Sequence, residues 1–445
     1  MRCILLALPS LACAAQLEVL TLPNWQRVPV GERAVMEGGA MVARVHGPVA
    51  GFTNPAGLAR LDRPSVSGTV TALEYVRVGA AALGNEKSSD DIQLKPNLVG
   101  FASAIDENDL SAGGWSFCLA TPTQWSSAIE VRSTTATGSR TDDGRSSLEL
   151  NCASLAYGRQ FSDHLQFGLS LEAWLVDYRY DSGTSAADGT TLLTATYSES
   201  GRRLALRSAI GSQYQHGTWR FGAMLRSPGL IIGEQGKISS SSTSGDGTNT
   251  THTAIRDEQV GFAMPLPWSL TCGAAWAPEA VPGFEVEADL AITGGASAGD
   301  IFAAASGTVT VIGAAPSSST IELAPRRLDL RMVYNPRLGL SYRFPNTLAN
   351  HIVRVHLGGY LEYSPIESSD VYTKLNLLGG TAGLSFDKGP MLLGIGGVYV
   401  TSSSISDAVG FITSPGSGLN PDLSDANASF AVRTFVLTIS SSYRF

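Results

Sequence analysis

RTFVLTISSSYRF, residues 433–445, alternates with period two. Phe435, Leu437, Ile439, Tyr443 and Phe445 share one face, and Thr434, Thr438, Ser440, Ser442 and Arg444 share the other. That pattern marks a strand with one apolar and one polar side. Working back from this stretch, strands are expected near 65–80, 95–105, 114–121, 148–161, 165–179, 202–215, 218–226, 259–276, 283–293, 328–344, 351–363, 374–386, 390–401 and 431–445. The set is all-β and even in number, as single-chain bacterial barrels are. From the third strand on, the connections alternate. Short ones fall at 162–164, 216–218, 278–283, 345–350 and 387–389, and long Ser/Thr/Gly-rich ones at 122–147, 180–201, 227–258, 294–327, 364–373 and 402–430. Short periplasmic turns and long outer loops have this order in outer-membrane barrels. The expected fold is therefore a 14-stranded antiparallel transmembrane β-barrel. Its last strand should pair with its first, so removal of Tyr443 to Phe445 is expected to stop assembly.

Composition agrees. Only 16% of the 445 residues are charged and 48 are Gly, where ordinary globular domains carry about 25% charge. Mean hydropathy is +0.07, the average expected of an apolar outer and a polar inner wall. No later apolar run reaches the roughly 18 residues of a transmembrane helix. The start, MRCILLALPSLACAAQ, reads as a signal peptide over 1–15, with Arg2, an apolar run Ile4 to Leu11 and a small-residue site at Ala12-Cys13-Ala14. Cys13 leaves a lipoprotein signal as the alternative, although Ser10 stands where Leu is usual. Cys118, Cys152 and Cys272 are widely separated in sequence and have no neighbouring His, which argues against a disulfide framework and a metal site. The net charge of −8 disfavours a nucleic-acid partner. No cofactor fingerprint occurs.

Two neighbouring strands carry a charge ladder. Phe284, Val286, Ala288 and Leu290 face one way, and Glu285, Glu287 and Asp289 the other. Leu328, Leu330, Met332, Tyr334, Leu338, Leu340, Tyr342 and Phe344 oppose Asp329, Arg331, Asn335, Arg337 and Arg343. A charge on the lipid face costs about 2–4 kcal/mol at midplane, so both charged sets should line the lumen. Arg331, Arg337 and Arg343 would then pair with the three carboxylates, either as a ladder felt by a solute or as internal bracing.

Residues 16–63 do not alternate. They hold Gly31-x-Arg33-Ala34, then Gly38-Gly39-Ala40 and Ala43, then Asn54-Pro55-Ala56, where Asn54 suits a helix N-cap and Pro55 the first helical position. This constellation before the first strand resembles the hatch of the FadL-type outer-membrane transporters of long-chain fatty acids and aromatic hydrocarbons. The same opening occurs in the related PorV-type barrels. GGWSFCLATP, LRSPGLIIGEQGKIS, MPLPWSLTCGAAWAPEAVPGFEVEADL and the endings PRLGLSYRF and SSYRF are similar to that family's strands. The resemblance implies a hatch over 16–63, inside a barrel over 64–445, with Asn54, Pro55, Ala56, Gly38 and Gly39 setting its position. It also implies an apolar groove between two outer loops holding Trp125, Leu230, Ile231 and Ile232, then a pocket near Leu17, Val19, Leu20 and Leu22. Exit is sideways at a kink in the third strand, placed at Gly113-Gly114. The outer loops here are more polar than that route suggests.

Three functions are open to such a chain. The first is passive uptake of a hydrophobic small molecule or fatty acid by a monomer that meets outer-membrane lipid, lipopolysaccharide and the barrel assembly machinery. The second is a PorV-like carrier or scaffold binding other proteins. The third, a barrel enzyme, is disfavoured: there is no nucleophile motif, His164, His216 and His351 sit by short turns, and His252 lies in a Ser-rich loop. A plug also argues against an open general porin.

Overall fold

The computed structural model describes residues 25–80, 85–91, 95–106, 113–134, 138–189, 191–245, 250–312, 316–323, 325–344, 352–369, 374–402 and 430–445. The signal segment and Leu17, Val19, Leu20 and Leu22 lie outside the described residues, as does most of 402–430. Fourteen antiparallel strands form the wall. They are β1 (Ser65–Ala80), β2 (Lys95–Ala104), β3 (Gly114–Thr134), β4 (Gly138–Gln160), β5 (Leu165–Asp188), β6 (Thr191–His216) and β7 (Trp219–Arg226), followed by β8 (Ser269–Trp276), β9 (Phe284–Thr293), β10 (Val333–Arg343), β11 (Ile352–Glu362), β12 (Leu377–Lys388), β13 (Met391–Ser402) and β14 (Phe430–Arg444). Each pairs with the next, and β14 pairs with β1 from Ser65↔Arg444 to Ala80↔Phe430. The ring is closed, so no strand edge is left to be satisfied by lipid.

The period-two pattern sorts the faces as the sequence reading requires. Phe435, Ile439, Tyr443, Phe167, Leu169, Leu171 and Leu290 are exposed on the outside. Thr434, Thr438, Ser440, Arg203, Arg207, Glu287 and Asp289 are buried inside. Trp219 stacks on Trp276 near the short turns (6.0 Å between centroids), and Tyr443 packs edge-on to Phe445.

Three expectations are corrected. First, the long Ser/Thr-rich segments, expected as loops, are largely β-structure. β3 and β4 stay paired out to Thr134↔Ser139, and β5 and β6 out to Asp188↔Thr191. Leu230–Gly245 pairs with Thr250–Val260, which pairs with Ala305–Ile312. Ser and Thr alternation reads as a loop by composition, yet Thr suits a pleated surface and cross-strand hydroxyls support each other. Second, 259–276 is not one strand. Pro265 and Pro267 lack the N–H that a ladder needs, and 261–268 leaves the wall and turns into the lumen, burying Phe262, Met264 and Leu266. Third, 328–344 breaks at Arg331-Met332. Leu328 and Leu330 belong to a separate three-stranded sheet (Ala296–Phe302, Arg326–Leu330 and Ile366–Ser369) and are buried, not lipid-facing.

Candidate functional site

Residues 25–63 fill the lower lumen, the half nearest the short turns, and lie against lumen-facing glycines of the wall. A Cβ on Gly168 would collide with Pro55, one on Gly211 with the Asn54 amide, and one on Gly358 with the Glu37–Gly38 peptide. Only glycine lets the plug backbone approach so closely. Asn54 is fully buried. Its Oδ1 accepts from Ala56 N (3.2 Å), capping the 3-10 turn Pro55–Leu58, and its Nδ2 donates to Val42 O (2.8 Å) and Ser212 O of β6 (3.0 Å). Asn54 thus ties two parts of the plug to the wall. Gly38 and Gly39 take φ of 63° and 80°, and Gly38 N donates to Thr381 Oγ1 of β12 (2.9 Å).

The charged groups of β9 hold the plug. Arg44 reaches Glu37 (2.5 Å), Glu285 (3.1 Å) and Glu287 (2.5 Å), and Arg33 reaches Glu285 (3.2 Å). Ala43 N donates to Glu287 (2.7 Å), and Met41 N and Val42 N to Asp289 (2.9 and 3.1 Å). The plug therefore supplies most of the partners expected from the row of arginines, of which Arg337 faces Asp289 across the strands. Arg337 pairs with Glu362 at 2.9 Å, Arg331 Nε donates to Ser364 O, and Arg343 is exposed by the short turns. The carboxylates were legible as lumenal, but their partners sit about 240 residues earlier in the chain.

Glu37 is the centre of the lock. Burial opposes its charge, but Arg33, Arg44 and His356 hold its carboxyl well below the usual carboxylate range. His356 Nδ1 shares a hydrogen bond with Glu37 (2.7 Å), and its Nε2 one with Ser385 Oγ (2.9 Å). Ser385–His356–Glu37 has the connectivity of a hydrolase triad. All three are essentially without solvent contact, and Glu37 is already committed to two arginines. A nucleophile needs a substrate within reach, so the geometry reads as a fastening.

Above the plug lies a cavity of about 90 Å³, lined by Trp25, Phe52, Trp174 and Leu266 and also by the charged side chains Arg207, Arg226, Arg337 and Glu362. Arg207 lies over Trp174 and Arg226 over Phe52, at 5.5 and 5.0 Å from the ring centroids. Both arginines are already hydrogen-bonded, Arg207 to Ser227 O and Pro267 O, Arg226 to Glu172 and Phe52 O. Higher still, Phe262 packs on Tyr178 (6.0 Å, 8° between planes) and Phe302 (5.1 Å), closing the lumen with rings.

The third strand is irregular, but at a different place from the one expected. Gly113 takes φ of 82° just before the strand and Gly114 begins β3 in regular pairing, whereas the register of β3 with β4 shifts between Ala120 and Thr123, at Thr121-Pro122. Beyond Ala120, β3 and β2 part. Pro122 borders the aromatic cavity and also a small cleft with Lys95, Pro96 and Asn97 of β2. Trp125, expected in an outer groove, is 1% exposed in the lumen under Arg27. Leu230, Ile231 and Ile232 are 68%, 46% and 54% exposed, on the strand that pairs with the upper part of β6. The structure does not bring these four together. Glu37, Arg44, His356 and Phe262 went unseen in the sequence. For Glu37 and Arg44 the one signal is a few charges, Glu32, Arg33, Glu37 and Arg44, in an otherwise apolar segment; His356 and Phe262 had none.

Fourteen closed strands around a folded N-terminal segment define a plugged transmembrane β-barrel. No family model matches the sequence, and no curated protein matches it. Solved structures do. The chain is similar to the Pseudomonas putida toluene transporter TodX, at 16% identity over 95% of this chain and 100% of that one, with a TM-score of 0.57. It is similar to the Ralstonia pickettii toluene transporter TbuX (13% identity, 94% and 98% covered, TM-score 0.55) and to a Pseudomonas aeruginosa FadL homologue (11%, 97% and 100%, 0.55). Its fold is that of the FadL-type channels, as the hatch resemblance implied.

Proposed function

We propose that this protein is a channel in the outer membrane for the passive uptake of hydrophobic small molecules. Residues 1–15 are its signal peptide, 16–63 its hatch and 64–445 its barrel. The observation that carries this reading is the aromatic cavity between plug and upper ring cluster, bordered by Pro122 where β2 and β3 part. An apolar solute is driven out of water into such a cavity, and little opposes its step from there into lipid. Asn54, Pro55, Ala56, Gly38 and Gly39 keep the hatch in register with the wall. A water needs roughly 10–15 Å³ of such space, so 90 Å³ holds about as many heavy atoms as one substituted ring. Of the arginines lining it, Arg226 is paired with Glu172 and Arg337 with Glu362, which favours an uncharged ring over a carboxylate. The toluene transporters named above support the same solute class.

The test is uptake of radiolabelled toluene and of a long-chain fatty acid by cells carrying or lacking the protein, together with density inside the barrel purified in mild detergent. Faster toluene entry and ring-sized density are expected. Equal uptake in both strains would overturn the reading, and a co-purifying protein bound stoichiometrically at the rim would favour the PorV-like scaffold instead.

A further inference from the structure

The face of the plug opposite the aromatic cavity forms a second chamber, on the short-turn side. It measures about 440 Å³ and is lined by the plug from Ala43 to Pro48 and from Arg60 to Arg63, and by wall residues next to short turns, among them Gln166, Gln215, Arg220 and Arg444. The chain carries a net charge of −8, yet this chamber is cationic. Arg60, Arg63, Arg220 and Arg444 line it, against the carboxyls of Glu32 and Asp62, while Arg44 at its edge is already paired with Glu37, Glu285 and Glu287. Burial pushes the Glu32 carboxyl up to about 7, against the nearby Ser67 and Ser442 hydroxyls and the charges of Arg33 and Arg444, so near neutral pH it supplies only part of a negative charge.

Among the described residues, Arg60 is held by neutral groups alone. Its Nη1 donates to Gln215 Oε1 (2.6 Å) and its Nη2 to Asp163 O (3.3 Å). Gln166, with its amide oxygen turned to the guanidinium, accepts from Nη2 (2.6 Å) and Nε (2.9 Å). Three uncharged acceptors fix the fork and leave its charge uncompensated. Across the chamber Arg220 repels it, and burial together with that repulsion pushes the Arg60 guanidinium down from its ordinary value. An oxyanion between the two would relieve the repulsion and accept from the one Nη1 N–H of Arg60 that these acceptors leave, with Arg220 facing it as the second cation.

We propose that this chamber binds one small oxyanion-bearing molecule, a carboxylate or a phosphate, between Arg60 and Arg220. The site lies outside the hydrophobic route and stands independently of it. The shared chemistry fits two sources: a free anion of the periplasm, or the phosphate of an anionic lipid headgroup reaching round the strand ends.

The test is calorimetric titration of the full mature protein in a neutral detergent with inorganic phosphate and with octanoate. Saturable one-to-one binding of at least one probe is expected. Arg60→Gln with Arg220→Gln should weaken it tenfold or more, and Arg60→Lys with Arg220→Lys should weaken it less, because charge remains while the fork is lost. Heat-modifiable migration checks that each variant is folded, and Arg179→Gln, at the far end of the barrel, should bind as wild type does. Repeating the titration in nanodiscs separates the sources. Weaker phosphate binding in phosphatidylglycerol than in phosphatidylcholine discs assigns the site to a lipid headgroup, and equal binding assigns it to a free anion. No saturable binding of either probe, or binding kept in full by the glutamine pair, overturns the proposal.

Discussion

Around Glu37 the lumen is closed by charge, and around Phe262 it is closed by rings. In the lower closure Glu37 joins Arg33, Arg44 and His356, Glu285 and Glu287 hold the two arginines from the wall, and the backbone lies on glycines of the wall. The upper closure stacks Tyr178, Phe262 and Phe302, with Ile301 and Met264 buried beside them. The two respond differently to an apolar visitor. Ring contacts are non-directional and are replaced by contacts with the solute at little loss. A buried ion pair loses its partner outright, which is strongly unfavourable. The outer closure is therefore the one an apolar solute can part, while the hatch yields only locally.

Four measurements break or sharpen that contrast. The largest effect is expected from Glu37→Gln, which leaves Arg33 and Arg44 each short of one carboxylate and His356 without its own. Breaking a buried pair costs about 3–5 kcal/mol, so the plug should come loose in a barrel that still assembles. Planar-bilayer conductance to small ions should rise well above wild type. Wild-type conductance would mean that the network does not hold the hatch.

Phe262→Ala acts on the other closure. Truncating a buried Phe costs about 3–5 kcal/mol in a rigid core, and less here because 261–268 is tied to the wall by few backbone bonds. Toluene entry should quicken while ion conductance stays low. If conductance rises as it does for Glu37→Gln, the two closures are not separate.

Asn54→Ala removes a cap worth on the order of 1 kcal/mol and the plug's tie to Ser212. A modest rise in conductance is expected, with normal surface expression. Pro55→Gly added to it should widen the change by freeing the turn. Wild-type conductance together with wild-type hydrophobic uptake in the double variant would remove Asn54 and Pro55 from the hatch role.

The smallest effect is the response to pH. The raised Glu32 carboxyl favours the folded plug while protonated. That contribution fades as pH climbs from the unfolded value near 4.5 through about 7. The lowered Glu37 carboxyl acts oppositely, stabilising at all pH above its unfolded value and losing this only in strong acid. Between pH 6 and 8 the plug should loosen slightly, through Glu32, which faces Ser67, Ser442, Arg33 and Arg444. Glu32→Gln should flatten the conductance–pH curve over that range. An unchanged slope would place the titration elsewhere.

The sequence by itself determined the barrel. Period-two alternation in stretches such as 433–445 and 283–293 admits one arrangement when one side must meet lipid and the other must not. The alternation of short and long connections then orders the strands. Asn54-Pro55 and Gly38-Gly39 were readable for a local reason, since a cap and a positive φ are set by neighbours in the chain. What only the tertiary structure decided is who meets whom across the lumen. The partners of Glu285 and Glu287 lie in the plug, because the lumen brings together residues that no local spacing connects. Likewise the break at Thr121-Pro122, and not at Gly113-Gly114, follows from where β2 stops supporting β3. The inward turn of 261–268 needed both Pro265 and Pro267 and an open ring-lined lumen to receive Phe262. Alternation fixes a strand's faces, but it is silent on contacts whose energy depends on long-range closure.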